Sequence, residues 1–182
     1  MHTYERSSII NLLIIAKILI FGVIVVNIRR AEEKDIQRLI DLLQQVLEIH
    51  ADIRPDIFIS GTTKYTKAEL SQMIKDDNKP VFVAVNEKDV CIGYSFCQIK
   101  EQPVSNNMVS FKSIFIDDLC VDSSVRGQRI GEHLFEYVKE EAKRLGCYEV
   151  TLNVWSGNTS AEKFYEKMGM KTKERQMEYI LK

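Results

Sequence analysis

Val125-Arg126-Gly127-Gln128-Arg129-Ile130-Gly131 joins an apolar stretch to an amphipathic one through a short turn bearing glycines and arginines. Upstream, Ser113-Ile114-Phe115-Ile116-Asp117-Asp118-Leu119-Cys120-Val121 reads as a strand. Downstream, Ile130, Leu134, Phe135, Val138, Ala142 and Leu145 recur at helical spacing. The turn therefore sits at a helix N-terminus, where free backbone N–H groups and the positive end of the helix dipole favour an anion such as a pyrophosphate. Gly127 and Gly131 allow a close backbone approach where a Cβ would meet a phosphate oxygen, and Arg126 and Arg129 add positive charge. A P-loop is excluded because no Gly-Lys-Ser/Thr follows, and the dinucleotide fingerprint G-x-G-x-x-G is absent. Taken alone, the pattern describes a surface loop equally well.

A second block lies nearer the C-terminus: Asn158-Thr159-Ser160-Ala161-Glu162-Lys163-Phe164-Tyr165-Glu166-Lys167-Met168-Gly169-Met170. With both blocks in view, the chain resembles the GNAT superfamily of acetyl-CoA-dependent N-acetyltransferases. The acetyl-CoA loop of that family, Arg/Gln-x-x-Gly-x-Gly/Ala, is matched by Arg126 to Gly131, with Arg129 at the middle glycine. Its later signature, Asn-x-x-Ala-x-x-Phe-Tyr-x-x-x-Gly-Phe, is matched by Asn158, Ala161, Phe164, Tyr165 and Gly169, with Met170 closing it. The likeness in element order runs from about Asn27 to the C-terminus. The amide of Arg129 serves the loop if its φ is negative, although its side chain makes the steric fit tighter.

The resemblance implies an α/β (α+β) fold, a mixed, mostly antiparallel central sheet flanked by helices, in a single domain over residues 27–182. It implies acetyl-CoA as cosubstrate and no metal. The pyrophosphate would lie on Arg126, Gly127, Gln128, Arg129, Ile130 and Gly131. The pantetheine arm would run along Leu119, Cys120 and Val121 like an added strand. An N–H there, at Leu119 or Cys120, would polarise the thioester carbonyl. Asn158 would cap its helix or hydrogen-bond the pantetheine amides, with Ala161 beside it on the cofactor side. Tyr165 would donate its proton to the departing thiolate, although spacing alone makes it a core aromatic.

By resemblance to diamine-type acetyltransferases, which carry Ile/Leu-Glu-Asp before this segment, Asp117 maps onto their active-site glutamate and acts directly or through a water. Strand alternation sets Asp117 and Asp118 on opposite faces, so only one faces the substrate. The alternative for both is a solvated strand edge. His50 is a further candidate base, or simply a half-exposed helix histidine. Trp155, Asn153, Tyr94 and Phe96 line the acceptor pocket or fill the core. Cys120 has no local histidine or cation to activate it, so direct attack of the amine in a ternary complex is expected rather than an acetyl-cysteine route. The acceptor is a small amine, an amino acid derivative or a protein amino group, and the loops around Asp52–Lys67 and Glu101–Lys112 would shape its pocket. A non-catalytic acyl-CoA-binding module stays open as the alternative.

Composition agrees with one compact enzyme domain. The chain has 182 residues, a formal net charge of −1 and 28% charged residues, which gives nucleic acid no electrostatic footing. Cys91, Cys97, Cys120 and Cys147 form no C-x-x-C pair, and His2, His50 and His133 have no ligand spacing with them. No zinc site or disulfide framework is expected, and the usage points to a reducing, cytoplasmic compartment. Exposed C-terminal edge strands leave a homodimer open.

Periodicity sets the layout. A strand is expected over Val25–Ala31 and a helix over Glu32–Ala51, with Ile36, Leu39, Ile40, Leu43, Val46 and Leu47 on one face. Thr66 caps a second helix to about Asp76, with Glu69 completing a capping box. Strands are expected over Val81–Val85 and Val90–Lys100, then Glu149–Trp155, a helix over Ser160–Lys167, and a final strand region over Lys171–Leu181. The order is a strand meander followed by strand-helix-strand units.

Residues 1–26 form an apolar N-terminal extension. Ile9 to Val26 is broken only by Asn11 and Lys17. A spanning helix wants ~20 residues, and a lysine near its centre costs roughly 2.5–3.5 kcal/mol. The run also continues into Val25-Val26-Asn27-Ile28, which the fold needs as its first strand, and no A-x-A-like cleavage site follows. The expectation is that translation starts at Val25 or Val26 from a GTG codon, with Gly22-Val23 encoding a ribosome-binding sequence. A membrane anchor and an extra apolar helix are the alternatives.

Overall fold

The computed structural model describes residues 26–101 and 104–181. Residues 1–25 lie outside the described residues, and with them the expectations on start codon and anchor. Among the described residues, no helix is long and apolar enough to cross a membrane.

Short strand β1 (Asn27–Arg30) leads through a 3-10 turn (Glu33–Asp35) into helix α1 (Ile36–Ile53). Arg29 fastens that entrance: its guanidinium donates to both oxygens of buried Asp35, at 2.7 and 3.1 Å. A loop then reaches α2 (Lys67–Met73), which begins as its sequence requires. The Thr66 hydroxyl accepts from the Glu69 N–H, while the Glu69 carboxylate accepts from the Thr66 N–H. Strands β2 (Val81–Val85), β3 (Cys91–Glu101) and β4 (Lys112–Val121) follow as an antiparallel meander, and β5 (Glu149–Leu152) pairs parallel to β4 after the crossover helix α3 (Ile130–Arg144). Helix α4 (Thr159–Lys167) follows β5. Sheet order is β1-β2-β3-β4-β5, so sequence neighbours are spatial neighbours throughout.

Period-two alternation distributes the core over both faces of the sheet. Val81, Val83, Val85, Tyr94, Phe96 and Cys120 meet Leu39, Leu42, Leu43 and Leu70 of α1 and α2. Phe82, Cys97, Ile114 and Ile116 meet Phe135, Val138 and Ala142 of α3. The central strands are therefore covered on both sides, which is why β2 is buried along its whole length.

Two expected strands differ. Alternation over Glu149–Trp155 yields a ladder only to Leu152, and no strand forms over Lys171–Leu181. The residues Lys171 to Gln176 carry no apolar alternation, and Met177, Tyr179 and Leu181 alone cannot make a buried face. They stay exposed at 85%, 87% and 89%. Ion pairs hold the segment instead, from Lys173 to Glu149 and from Glu178 to Arg54.

The turn before α3 departs from expectation at one backbone angle. Arg129 is the N-cap residue with φ 62 and ψ 13, the left-handed conformation, so the negative φ on which the service of its amide to the loop is conditional is not found. Gly127 also has a positive φ, 80, with open space where a Cβ would be, so conformation rather than crowding calls for glycine there. Gly131 is different: a Cβ would meet the Phe164 ring at 3.4 Å and Val121 at 3.6 Å. It is the point where α3, α4 and the end of β4 come together.

Gly93 on β3 brings its backbone against β4, where an added Cβ would stand 2.9 Å from the Cys120 carbonyl oxygen and 3.2 Å from Leu134. Gly93→Ala should therefore cost about 1–3 kcal/mol by overpacking, read as a lower urea midpoint at unchanged m-value. Arg129→Gly should act oppositely. Relief of the left-handed conformation is worth roughly 1–2 kcal/mol, which outweighs loss of the exposed, solvent-screened Arg129–Glu132 pair. A rise of about 2–4 °C in Tm is expected, and an unchanged or lower Tm would contradict this account of the turn.

Candidate active site

The sheet opens between β4 and β5. The two strands pair over Ser113–Ile116 and Glu149–Leu152, after which β4 runs on from Asp117 to Val121 bonded only to β3 among the described strands. Which backbone groups line the opening follows from strand geometry. The Asp122 N–H donates to Ile92 on the β3 side, so by the period of two Cys120 also turns its backbone groups toward β3. Leu119 and Val121 face the opening. Two observations agree: the Cys120 carbonyl crowds Gly93, and the Val121 carbonyl accepts from Arg126 Nε at 3.2 Å. Of the two amides expected as donor, that of Leu119 is on the side of the opening and that of Cys120 on the side of β3. The Cys120 side chain faces α1, with its Sγ 3.6 Å from the Leu42 carbonyl, and burial pushes its thiol up to about 12.

The end of β4 is braced from both sides. Asp122 accepts from the N–H and hydroxyl of Ser124, at 2.9 and 2.8 Å, and from Arg38 of α1. Burial pushes its pKa up, but those hydrogen bonds outweigh burial and hold it below the ordinary carboxylate range. The turn then delivers Arg126 to Gly131 to the start of α3. The N–H groups of Ile130, Gly131 and Glu132 have no partner within the helix, whose first internal turn closes with His133 donating to Arg129. Gln128 is exposed, whereas the Ile130 side chain is buried and offers the loop only its backbone. The Arg129 guanidinium donates to Glu132 at 2.9 Å, and Lys167 of α4 holds the same carboxylate.

Asn158 caps α4, its side-chain oxygen accepting from the Ala161 N–H at 3.2 Å. The helix so started presents Phe164 to Gly131 and Tyr165 to Phe135, with ring centroids 6.1 Å apart. Tyr165 is half-buried. Burial first, then the negative charge of Asp118, raises its pKa well above that of a free tyrosine, so it stays protonated.

Asp117 and Asp118 do not lie on opposite faces. Phe96 pairs with Asp118 and Cys97 with Ile116, which leaves Asp117 as the extra residue of a β-bulge. Both carboxylates consequently meet one aromatic row. Tyr65 O–H donates to Asp117 at 3.2 Å, the Tyr65 ring packs on Phe96 at 5.7 Å, Phe96 packs on Tyr94 at 4.9 Å, and Tyr94 O–H donates to Asp118 at 2.9 Å. Lys64 Nζ donates to Asp117 at 2.7 Å. Burial pushes Asp118 up to about 6, against the lowering pull of the Tyr94 bond, the Lys64 charge and a bond from the Leu119 N–H. Tyr94 and Phe96, expected in the pocket or the core, are core: fully buried beneath the acidic pair.

On the other side of Lys64 stands His50, whose pKa is lowered by burial and then by the Lys64 charge, so it is neutral near pH 7. Its ring meets Phe58 at 5.1 Å, and Phe58 meets Trp155 edge-on at 5.3 Å. The loop between α1 and α2 therefore reaches the opening, whereas the β3–β4 loop joins the far end of β4, about 17 Å from Asp117 by strand rise. Sequence reading singled out neither Lys64 nor Tyr65. The Thr66 capping box marks their position in the chain, but contact with a strand 53 residues away leaves no local signal.

The Acetyltransferase (GNAT) family profile matches residues 43–170. The peptidyl-lysine N-acetyltransferase YjaB of Salmonella typhimurium is 30% identical over 148 residues, covering 80% of this chain and 83% of that protein. A glucosamine 6-phosphate N-acetyltransferase of Arabidopsis thaliana is 39% identical over 66 residues, covering 36% of this chain and 42% of that protein. The crystal structure of a mutant of the BH1408 protein from Bacillus halodurans superposes with a TM-score of 0.81 at 30% identity, covering 85% of this chain and 99% of that one. The strand opening, the glycine-bearing turn at α3 and the Asn158–Gly169 helix belong together for this reason: the chain is a member of the GNAT family, an acetyl-CoA-dependent N-acetyltransferase.

Proposed function

We propose that residues 27–182 form one catalytic domain that moves the acetyl group of acetyl-CoA to a cationic primary amine of lysine type. The observation that carries this reading is the pair of carboxylates on an aromatic floor at the mouth of the β4–β5 opening. A protonated amine gains from such a pair, whereas a sugar phosphate would meet repulsion. The longer of the quoted sequence matches, to a peptidyl-lysine N-acetyltransferase, agrees with that charge argument.

The chain's own groups fit acetyl-CoA along the opening. The free amides at the start of α3, with Arg126 and Arg129 beside them, suit a pyrophosphate. The pantetheine would add as a strand along Leu119 and Val121, where the Leu119 N–H would exchange its bond to the Asp118 carboxylate for one to the thioester oxygen. Asp117 holds the amine and Asp118 takes its proton, since a carboxyl near pH 6 is ionised at neutral pH yet basic enough to accept. Tyr165 donates to the departing thiolate.

Tyr165→Phe should lower kcat about 100-fold, in the range of a lost general acid, while acetyl-CoA binding by calorimetry stays near that of the parent. Equal kcat would remove Tyr165 from the chemistry. The rate should rise with pH through about 6, the range in which Asp118 ionises. Stability runs the other way. The folded-state pKa of Asp118 is raised from 3.8, so its stabilising contribution is complete below that value and lost as pH climbs through about 6. Asp118→Asn should abolish both dependences in a pH-rate profile and a pH series of thermal melts.

A further inference from the structure

The place beside Asp117 holds an amine that the chain supplies itself. Lys64 lies in the loop between α1 and α2, and its Nζ reaches Asp117 Oδ2 at 2.7 Å. Tyr65 fastens the same loop to the same oxygen, so the lysine arrives with a positioned backbone. Asp117 is the bulge residue at which β4 parts from β5, which puts this amine at the mouth of the opening rather than on a remote surface. The Lys64 charge acts on Asp118 directly, and that of Asp118 on Tyr165, so amine, acid pair and tyrosine form one connected group.

Stability does not explain the pair. The Lys64 side chain is 43% exposed and that of Asp117 20%, and a partly exposed pair of this kind is screened by solvent and adds little to stability. Breaking the pair to move the amine therefore costs the fold little. Leu119, whose N–H faces the opening, lies two residues beyond Asp117, about 7 Å along the strand. A four-carbon side chain covers that distance by changing rotamer.

We propose that Lys64 is an internal acceptor, its ε-amine standing where an outside amine must bind and being acetylated in cis by acetyl-CoA in the β4–β5 opening. This rests on the reading of that opening as the acetyl-CoA site. The Lys64 ammonium first gives a proton to the carboxylate pair, which passes it to solvent. The neutral nitrogen forms the new N–C bond to the acetyl carbonyl carbon, and the C–S bond breaks. Sulfur leaves as the thiolate of CoA and is protonated by way of Tyr165, which recovers its proton from the nitrogen. The sum is one ammonium and one thioester converted to one amide, one thiol and one released proton. Acetyl-Lys64 carries no charge for Asp117 to hold, so the product vacates the seat and leaves it open to outside amines.

The full chain, incubated with deuterated acetyl-CoA and digested for mass spectrometry, gives the direct reading. Acetyl occupancy at Lys64 should exceed that at exposed Lys163 by about tenfold or more, as catalysed transfer exceeds background acylation. The rate should be first order and independent of protein concentration, and Lys64→Arg should carry no label above background. Tyr165→Phe should slow labelling of Lys64 but leave Lys163 unchanged. Occupancy equal to that at Lys163, or a rate proportional to protein concentration, would overturn the proposal. Acetyl-CoA binding with thiol release on an outside amine but no label on Lys64 would overturn it alone. Absence of acetyl-CoA binding in calorimetry would overturn the reading of the opening as well.

Discussion

The structure depends on a ladder that stops. Parallel pairing of β4 with β5 ends at Ile116 and Leu152, and from there β4 has no strand partner on one side among the described residues and pairs with β3 on the other. An unpaired edge inside a sheet is costly unless something completes it. Here the opening lies between helix α3, which starts beside Val121, and helix α4, which packs on Gly131 through Phe164. A ligand with its own amides can complete the ladder, and a pantetheine arm is such a ligand. The Leu119 and Val121 backbone and the α3 turn meet at the opening because the same strand end organises them.

The bulge at Asp117 is the second element of the design. An extra residue in β4 breaks alternation at the point where the strands part, and brings two carboxylates to one face instead of dividing them. Their environments then differ. Asp117 pairs with the Lys64 amine near the surface, while Asp118 sits against Tyr94 with its proton affinity raised by burial. One carboxylate suited to holding a cation and another suited to accepting a proton arise from adjacent residues with identical side chains. Environment alone separates them.

Electrostatics also keeps other groups out of the chemistry. Burial pushes the thiols of Cys91, Cys97 and Cys120 to about 12, so none is a thiolate near neutral pH. His50 is neutral and stacked against Phe58. Direct attack by an amine is the route this arrangement favours.

Much of this was legible in the residues. The 3.6-residue period of α3, the Thr66 and Glu69 capping box, the apolar run Val81–Val85 and the Asn158–Gly169 pattern each act over a few residues, and each places the start of its element within a position or two. Local patterns fail where partners are distant. The alternation of Met177, Tyr179 and Leu181 reads as a strand, but a strand exists only if an edge accepts it, and these side chains remain in solvent. Arg129 takes the left-handed angle of the glycine usual in that loop because the turn between β4 and α3 requires it, whatever residue stands there. The placing of Asp117 and Asp118 on one face, and of Lys64 beside them, was decided by tertiary structure alone. A bulge is a property of two paired strands, and a contact across 53 residues is a property of the closed fold.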